Sequence, residues 1–228
     1  MKTNQCSFAK VIFTLFVVSL LASCASKPFI APEFKALSTT GATMAVLPYN
    51  IIFEGKMPKD LTPEEIKAQD EKEQLAFQQS LFSQVSSKLS GTSFRFQSMA
   101  TTNAKLLELG VDLHKIQDYK PELLAEKLGV DMVVVPSLVK HRYRSNEASA
   151  AIAVANVLVN NIRPPGVFVP NVDSRTNDVK AAFTIVGAKN GNLLWSIERK
   201  AAADWTRSVA TTMDRLHLRM TRKLRKIN

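Results

Sequence analysis

Cysteine is nearly absent from this 228-residue chain, occurring only as Cys6 and Cys24. Beyond residue 24 there is therefore no disulfide, no thiol nucleophile and no cysteine metal site, and the fold must hold by packing alone. Glycine is scarce, with 8 residues, and neither a phosphate-cradling glycine loop nor Gly-x-Ser-x-Gly occurs. A nucleotide site is not expected from such a chain, nor a hydrolase built on a nucleophile elbow. The three histidines, His114, His141 and His217, are far apart, and no pair has the His-x-x-x-His spacing of a zinc site. His141, beside Arg142 and Arg144, reads as a surface histidine, and His217 as a solvated residue on a basic helix. Glu64 with Glu65, and Asp70 with Glu71, read as solvated helix-surface carboxylates. No catalytic set, metal or other cofactor is expected from these residues, so the chain reads as a non-enzyme.

Long apolar runs are also missing. The longest, Val11–Ala22, is about 12 residues, short of the roughly 20 that cross a bilayer. With Lys2 and Lys10 before it and small residues after it, the run has the form of a secretory signal peptide. It ends Leu21-Ala22-Ser23-Cys24, which resembles the bacterial lipobox. That resemblance implies cleavage after residue 23 and acylation of Cys24, with palmitate among the chains. Several acyl chains, at about 0.8 kcal/mol per buried CH₂, hold a protein on a membrane effectively permanently. Ala25 and Ser26 lack the aspartate that resembles an inner-membrane retention signal, which favours the periplasmic face of the outer membrane.

What is abundant is positive charge. The formal net charge is +10, and removing Lys2 and Lys10 leaves 10 − 2 = +8. An exported protein rarely meets nucleic acid, so none is expected as a partner; anionic head groups or an acidic protein are the available counter-surfaces. The most concentrated basic stretch is carried by the last helix, as Arg215, Arg219, Arg222, Lys223, Arg225 and Lys226. Cations near a helix C-terminus are favourable by about 0.3–1 kcal/mol each, so the dipole accounts for some of them. The remaining reading is an anionic contact.

Residues 24–42, with two prolines and no period, read as a tether whose Phe29, Ile30 and Phe34 dock part of it on the domain. Residues 43–228 read as one α/β domain. Thr43–Tyr49 is a buried strand and 51–61 a loop. Thr62-Pro63-Glu64-Glu65 opens a helix with a capping box. Phe77, Leu81, Val85 and Leu89 form its apolar stripe, with Leu75 and Phe82 beside it, and Gly91 is read as its stop. A strand at 93–98 and a helix over 102–109 follow. The next helix, over 118–128, turns Leu123, Leu124 and Leu128 inward and stops at Gly129. Val130–Val139 is the best candidate for a central strand, with a bulge or edge exposure expected at Pro136. Residues 146–177 form an insertion whose charge-free Ala148–Leu158 is read either as a helix close on the sheet or as an exposed apolar hairpin. Asn190-Gly191 marks a hairpin between two apolar runs. Val209, Met213, Leu216, Met220 and Leu224 share one face of the last helix.

Three stretches in this order resemble a known group. Ala45-Val46-Leu47-Pro48-Tyr49 is similar to the first strand of the TolB amino-terminal, LpoB and CsgG group of envelope proteins. Leu124–Val134 is similar to their helix-Gly-x-Asp-strand step, and Asn190–Trp195 to their hairpin turn with its following tryptophan. The resemblance spans residues 43–225. It implies an anticodon-binding-domain-like α/β sandwich with a mixed sheet, used for protein contacts in the periplasm. The implied function is a membrane-anchored, non-enzymatic envelope assembly or adaptor factor, with an envelope protein, or a second copy, as partner. The alternative is a ring-forming secretion component of the CsgG type. The hairpins of such pores would alternate apolar and polar, and Ala148–Leu158 does not.

Overall fold

The computed structural model describes residues 27–55, 62–142, 146–162, 177–203 and 209–224. Its elements are β1 (Phe29–Ile30), α1 (Pro32–Leu37), β2 (Thr43–Val46), β3 (Asn50–Gly55), α2 (Pro63–Leu89), β4 (Arg95–Phe96) and α3 (Met99–Glu108). A short 3-10 helix (Leu113–Asp118) precedes α4 (Pro121–Leu128), β5 (Met132–Arg142), α5 (Asn146–Ile162), β6 (Asn177–Gly187), β7 (Leu193–Ala203) and α6 (Val209–Leu224). The architecture is the expected α/β class with one mixed sheet. The strand order is β1-β7-β6-β5-β2-β4, with β3 also pairing β5.

The β-branched run Met132–Val135 opens the central strand. β5 pairs parallel with β2 and β3 on one side and antiparallel with β6 on the other. Pro136 produces neither a bulge nor exposure there. It is buried, and the β5–β6 register runs through it without a shift. Its position explains the tolerance. β2 pairs residues 132–134 and β3 pairs residues 137–142, so Pro136 falls where β5 changes partner. The Val134 carbonyl accepts from the Leu47 amide on that side, and alternation turns the Pro136 nitrogen the same way, into the seam.

Alternation also divides the core. Met132, Val134 and Leu138 meet α2 and α6, together with Phe77, Leu81, Val85, Met213, Leu216 and Met220. Val133 faces α3 and α4, with Leu106, Leu124 and Leu128. Leu123 is 51% exposed, against the expectation. The helix starts at Pro121, and its 3.6-residue period turns Leu124, Ala125 and Leu128 inward instead.

Several local signals act as read. Thr62 accepts from the Glu65 amide while Glu65 accepts from the Thr62 amide, completing the capping box. Gly129 ends α4 with φ 71°, the left-handed region that favours glycine. Gly91 does not end α2. The terminal residue Ser90 stays right-handed, and the Thr92 hydroxyl and amide both donate to the Leu89 carbonyl. The Gly-x-Asp step has a local cause. Asp131 accepts from the Thr43 amide at 2.6 Å through its carboxylate, and its own amide donates to the Thr43 carbonyl, so one residue locks β2 to the start of β5.

Two expectations change. Residues 51–55, read as part of a loop, belong to an edge strand, Asn50–Gly55, on the long end of β5, with Ile51 packed on the α2–α6 core and Ile52 turned to solvent. The stretch read as tether joins the fold at Phe29. β1 pairs antiparallel with β7, the Ala31 amide donates to the Leu194 carbonyl, and Phe34 is fully buried and stacks on Phe94 at 5.5 Å. Its remainder before residue 27 lies outside the described residues.

Candidate functional site

Polar groups are buried between α2, α6 and the turn after β2. Pro48 ends β2, so carbonyls near it lack strand partners, and glutamines of α2 satisfy them. Gln74 Nε2 donates to the Tyr49 and Leu113 carbonyls, both at 2.7 Å. Gln78 Nε2 donates to the Val46 carbonyl at 2.9 Å and exchanges hydrogen bonds with Asn103. On the same helix, Asp70 and Glu73 bracket the Lys140 ammonium at 2.9 and 2.7 Å. Burial opposes the Lys140 charge, but the two carboxylates, Glu73 foremost, outweigh it and hold its pKa above the ordinary value. Asp70, with its side chain 35% exposed, is thus a partner of the buried Lys140 and not a free solvated carboxylate.

The deepest cluster is centred on His217, which is fully buried and not solvated as the sequence suggested. Its Nε2 lies 2.6 Å from Tyr49 Oη, its Nδ1 lies 2.8 Å from Ser80 Oγ, and Ser80 Oγ donates to Asp214 Oδ1 at 2.6 Å. With the imidazole neutral, only one proton arrangement satisfies all three contacts. Burial pushes the Tyr49 hydroxyl well above its ordinary pKa, so it stays protonated. It has no other hydrogen-bond partner among the described residues, so it donates to Nε2. The Nδ1 proton then donates to Ser80, which passes its own proton to the exposed Asp214 carboxylate. Burial lowers the His217 pKa to about 4, against a smaller upward pull from Asp214. The ring packs against Tyr49 and Phe183, with centroids 5.8 and 5.5 Å away.

Serine, histidine and aspartate are also the members of a hydrolytic triad, but their order differs here. In a triad the imidazole lies between hydroxyl and carboxylate and takes the hydroxyl proton. In this cluster the hydroxyl lies between, its proton points at Asp214, and the second imidazole nitrogen is held by a core tyrosine. The arrangement does a positioning job: it joins α2, α6 and the β2–β3 turn through directional bonds. The signal for it was legible only in part. His217 lies four residues after Met213 and one after Leu216, on the apolar side of α6.

The residues expected to contact anions divide. Arg215, Arg219 and Arg222 are exposed on the solvent side of α6, opposite Met213, Leu216, Met220 and Leu224, and Lys223 is half-buried beside them. Spacings of four and three residues place the three arginines on one helical face. Arg225, Lys226 and the lipid-attachment candidate Cys24 lie outside the described residues.

The insertion opens with α5, a helix and not a hairpin, but it is not packed closely on the sheet. None of its described side chains is buried; Val154 is 56% exposed and Val157 57%. Alanine-rich sequence favours the helix locally, and apolar residues cover most of its circumference, interrupted by a narrow stripe of Ser149, Asn156 and Asn160. The remainder of the insertion, 163–176, lies outside the described residues. Among the described residues no helix is long and apolar enough to cross a membrane, and no group of three or more His, Cys, Asp or Glu is placed to hold a metal ion.

No family model and no curated protein matches the chain. Among solved structures it is similar to the LpoB C-terminal domain from Salmonella enterica, at 13% identity over 75% of this chain and 90% of that one, with a TM-score of 0.33. It is similar to PelC from Paraburkholderia phytofirmans, a dodecamer, at 10% identity over 87% and 95%, TM-score 0.41. It is also similar to the lipoprotein GNA1162 from Neisseria meningitidis, at 14% identity over 80% and 96%, TM-score 0.40.

Proposed function

We propose that this chain is an outer-membrane-anchored lipoprotein on the periplasmic face, acting without catalysis as an envelope assembly or adaptor factor through protein contacts. The observation that carries this reading is the sequence Leu21-Ala22-Ser23-Cys24 lying five residues before the first strand, β1 at Phe29. An acylated Cys24 would leave almost no free chain between membrane and domain. The buried His217, with the half-buried Ser80 and the exposed Asp214, is used for positioning, which supports a binding role over hydrolysis. The exposed Arg215, Arg219 and Arg222 offer a surface to an acidic partner.

The anchor is tested by mass spectrometry and membrane fractionation of the full chain and of Cys24→Ala. Acyl mass on the wild type, with release of the variant to the soluble fraction, supports the reading; an unmodified Cys24 overturns it. The adaptor role is tested by light scattering of the detergent-extracted protein, then crosslinking in cells. A monomer or dimer that crosslinks to another envelope protein is expected, and a large defined ring would replace the adaptor with the secretion-component reading. Charge reversal of Arg215, Arg219 and Arg222 together is expected to weaken that crosslink while leaving fractionation unchanged; an unchanged crosslink removes the basic face from the proposal.

A further inference from the structure

Among the described residues α5 buries no side chain, and the strand register shows at which end of the sheet it begins. Arg142 of β5 pairs with Asn177 of β6, and Asn177 pairs with Ala203 of β7, so these three residues form one end row of the sheet. α5 begins at Asn146, four residues after Arg142, and therefore starts at that end. β1 reports where the amino-terminal chain comes from. Phe29 pairs with Ser196 and Ile30 with Trp195, antiparallel, so going backward from Phe29 the chain heads along β7 toward Ala203. The chain thus enters the fold from the end that carries α5.

Covalent geometry limits how far the anchor can be. Cys24 is five residues from Phe29, and five extended residues reach at most about 18 Å. Phe29 pairs seven residues short of Ala203, about 23 Å along β7, so an extended chain brings Cys24 to within about 5 Å of the end row, and a lipid there holds this end of the sheet near the bilayer. There α5 presents 17 residues, with no charged side chain from Ala148 to Ile162, and Val154 and Val157 more than half exposed. At about 1.5 Å per residue it is roughly 25 Å long, short of the hydrocarbon thickness, so it suits lying in the interface and not crossing it.

We infer that α5 is a second membrane contact, lying in the lipid interface beside the acylated cysteine and fixing the orientation of the domain on the membrane. The inference rests on the anchor reading, which supplies the direction of the membrane. It makes the attachment two-point: the acyl chains set the affinity and α5 sets the tilt, so the opposite, hairpin end of the sheet faces away from the lipid.

The test uses the full chain with Val154→Cys, the sole reactive thiol once Cys24 is acylated, carrying an environment-sensitive fluorophore in vesicles of phosphatidylethanolamine and phosphatidylglycerol. Leu107→Cys on α3, where Leu107 is 61% exposed, is the reference site. Mass spectrometry of each sample reports Cys24 acylation. With acylation present, a blue-shifted Val154 probe quenched severalfold more by acyl-chain nitroxides than the Leu107 probe is the expected result. An acylated protein whose Val154 probe stays water-like overturns the inference and leaves the anchor standing. A Val154 probe shielded from nitroxide lipids but transferring energy to a second labelled copy puts another protomer on α5, and also overturns it. An unacylated Cys24 defeats the anchor reading itself, and this inference with it.

Discussion

α5 and α6 are helices of similar length, 17 and 16 residues, and they differ in nearly everything else. α6 buries Met213, Leu216, His217, Met220 and Leu224 against α2 and the sheet and turns three arginines outward. α5 is apolar over most of its circumference, apart from a narrow stripe of Ser149, Asn156 and Asn160, and buries none of its described side chains. The difference teaches that apolar content does not place a helix; segregation does. In α6 the polar and apolar faces are separated, so one orientation is best, and the bonds from Tyr49 and Ser80 to His217 fix it further. In α5 the polar stripe of Ser149, Asn156 and Asn160 is narrow, and none of the described side chains is buried in the domain.

The sharpest way to break this comparison is to compare deletions in the two regions. Leu81→Ala, in the α2–α6 core, is expected to cost about 2–5 kcal/mol in urea unfolding, since Leu81 is fully buried. A cost under about 1 kcal/mol would mean the core is far looser than its packing implies.

The second effect is a pH dependence. His217 has its pKa lowered to about 4 in the fold, while the unfolded chain has the ordinary histidine value near 6.5. Between those values the unfolded state binds more protons, so stability is complete above about pH 6.5 and falls as pH drops toward 4. The loss is on the order of 3 kcal/mol, at 1.36 kcal/mol per pKa unit. Unfolding measured across this window should show the slope, and His217→Gln should remove most of it. A variant with the wild-type slope would place the titration elsewhere.

Smaller is the effect of Thr62→Ala, which removes the capping hydroxyl from the start of α2; about 1 kcal/mol is expected in the same assay. Smallest is Val154→Ala with Val157→Ala in α5. In lipid-free detergent solution it should change unfolding by under about 0.5 kcal/mol, because these side chains bury little within the domain. A cost comparable to that of Leu81→Ala would show that α5 belongs to the core and would end the contrast with α6.

Much of this was legible in the residues themselves. Thr62-Pro63-Glu64-Glu65 satisfies helix-end donors from within three positions, Gly129 supplies a left-handed φ, Phe77 through Leu89 repeat at the helical period, and Val130–Val139 is β-branched where the central strand lies. These depend on contacts near in sequence or on the composition of one segment, so the chain determines them alone. Other outcomes were decided only by tertiary structure. Whether Asn50–Gly55 is loop or strand depends on the free edge of β5, more than 80 residues away in sequence. Whether His217 is solvated or buried depends on Tyr49 and Ser80, 168 and 137 positions distant. Asp70 is paired only because β5 brings Lys140 beneath α2, and Pro136 is harmless only because two other strands divide the length of β5 between them. In each case a polar group or a strand edge has more than one way to be satisfied locally, and long-range packing selects among them by the cost of leaving a buried group unpaired.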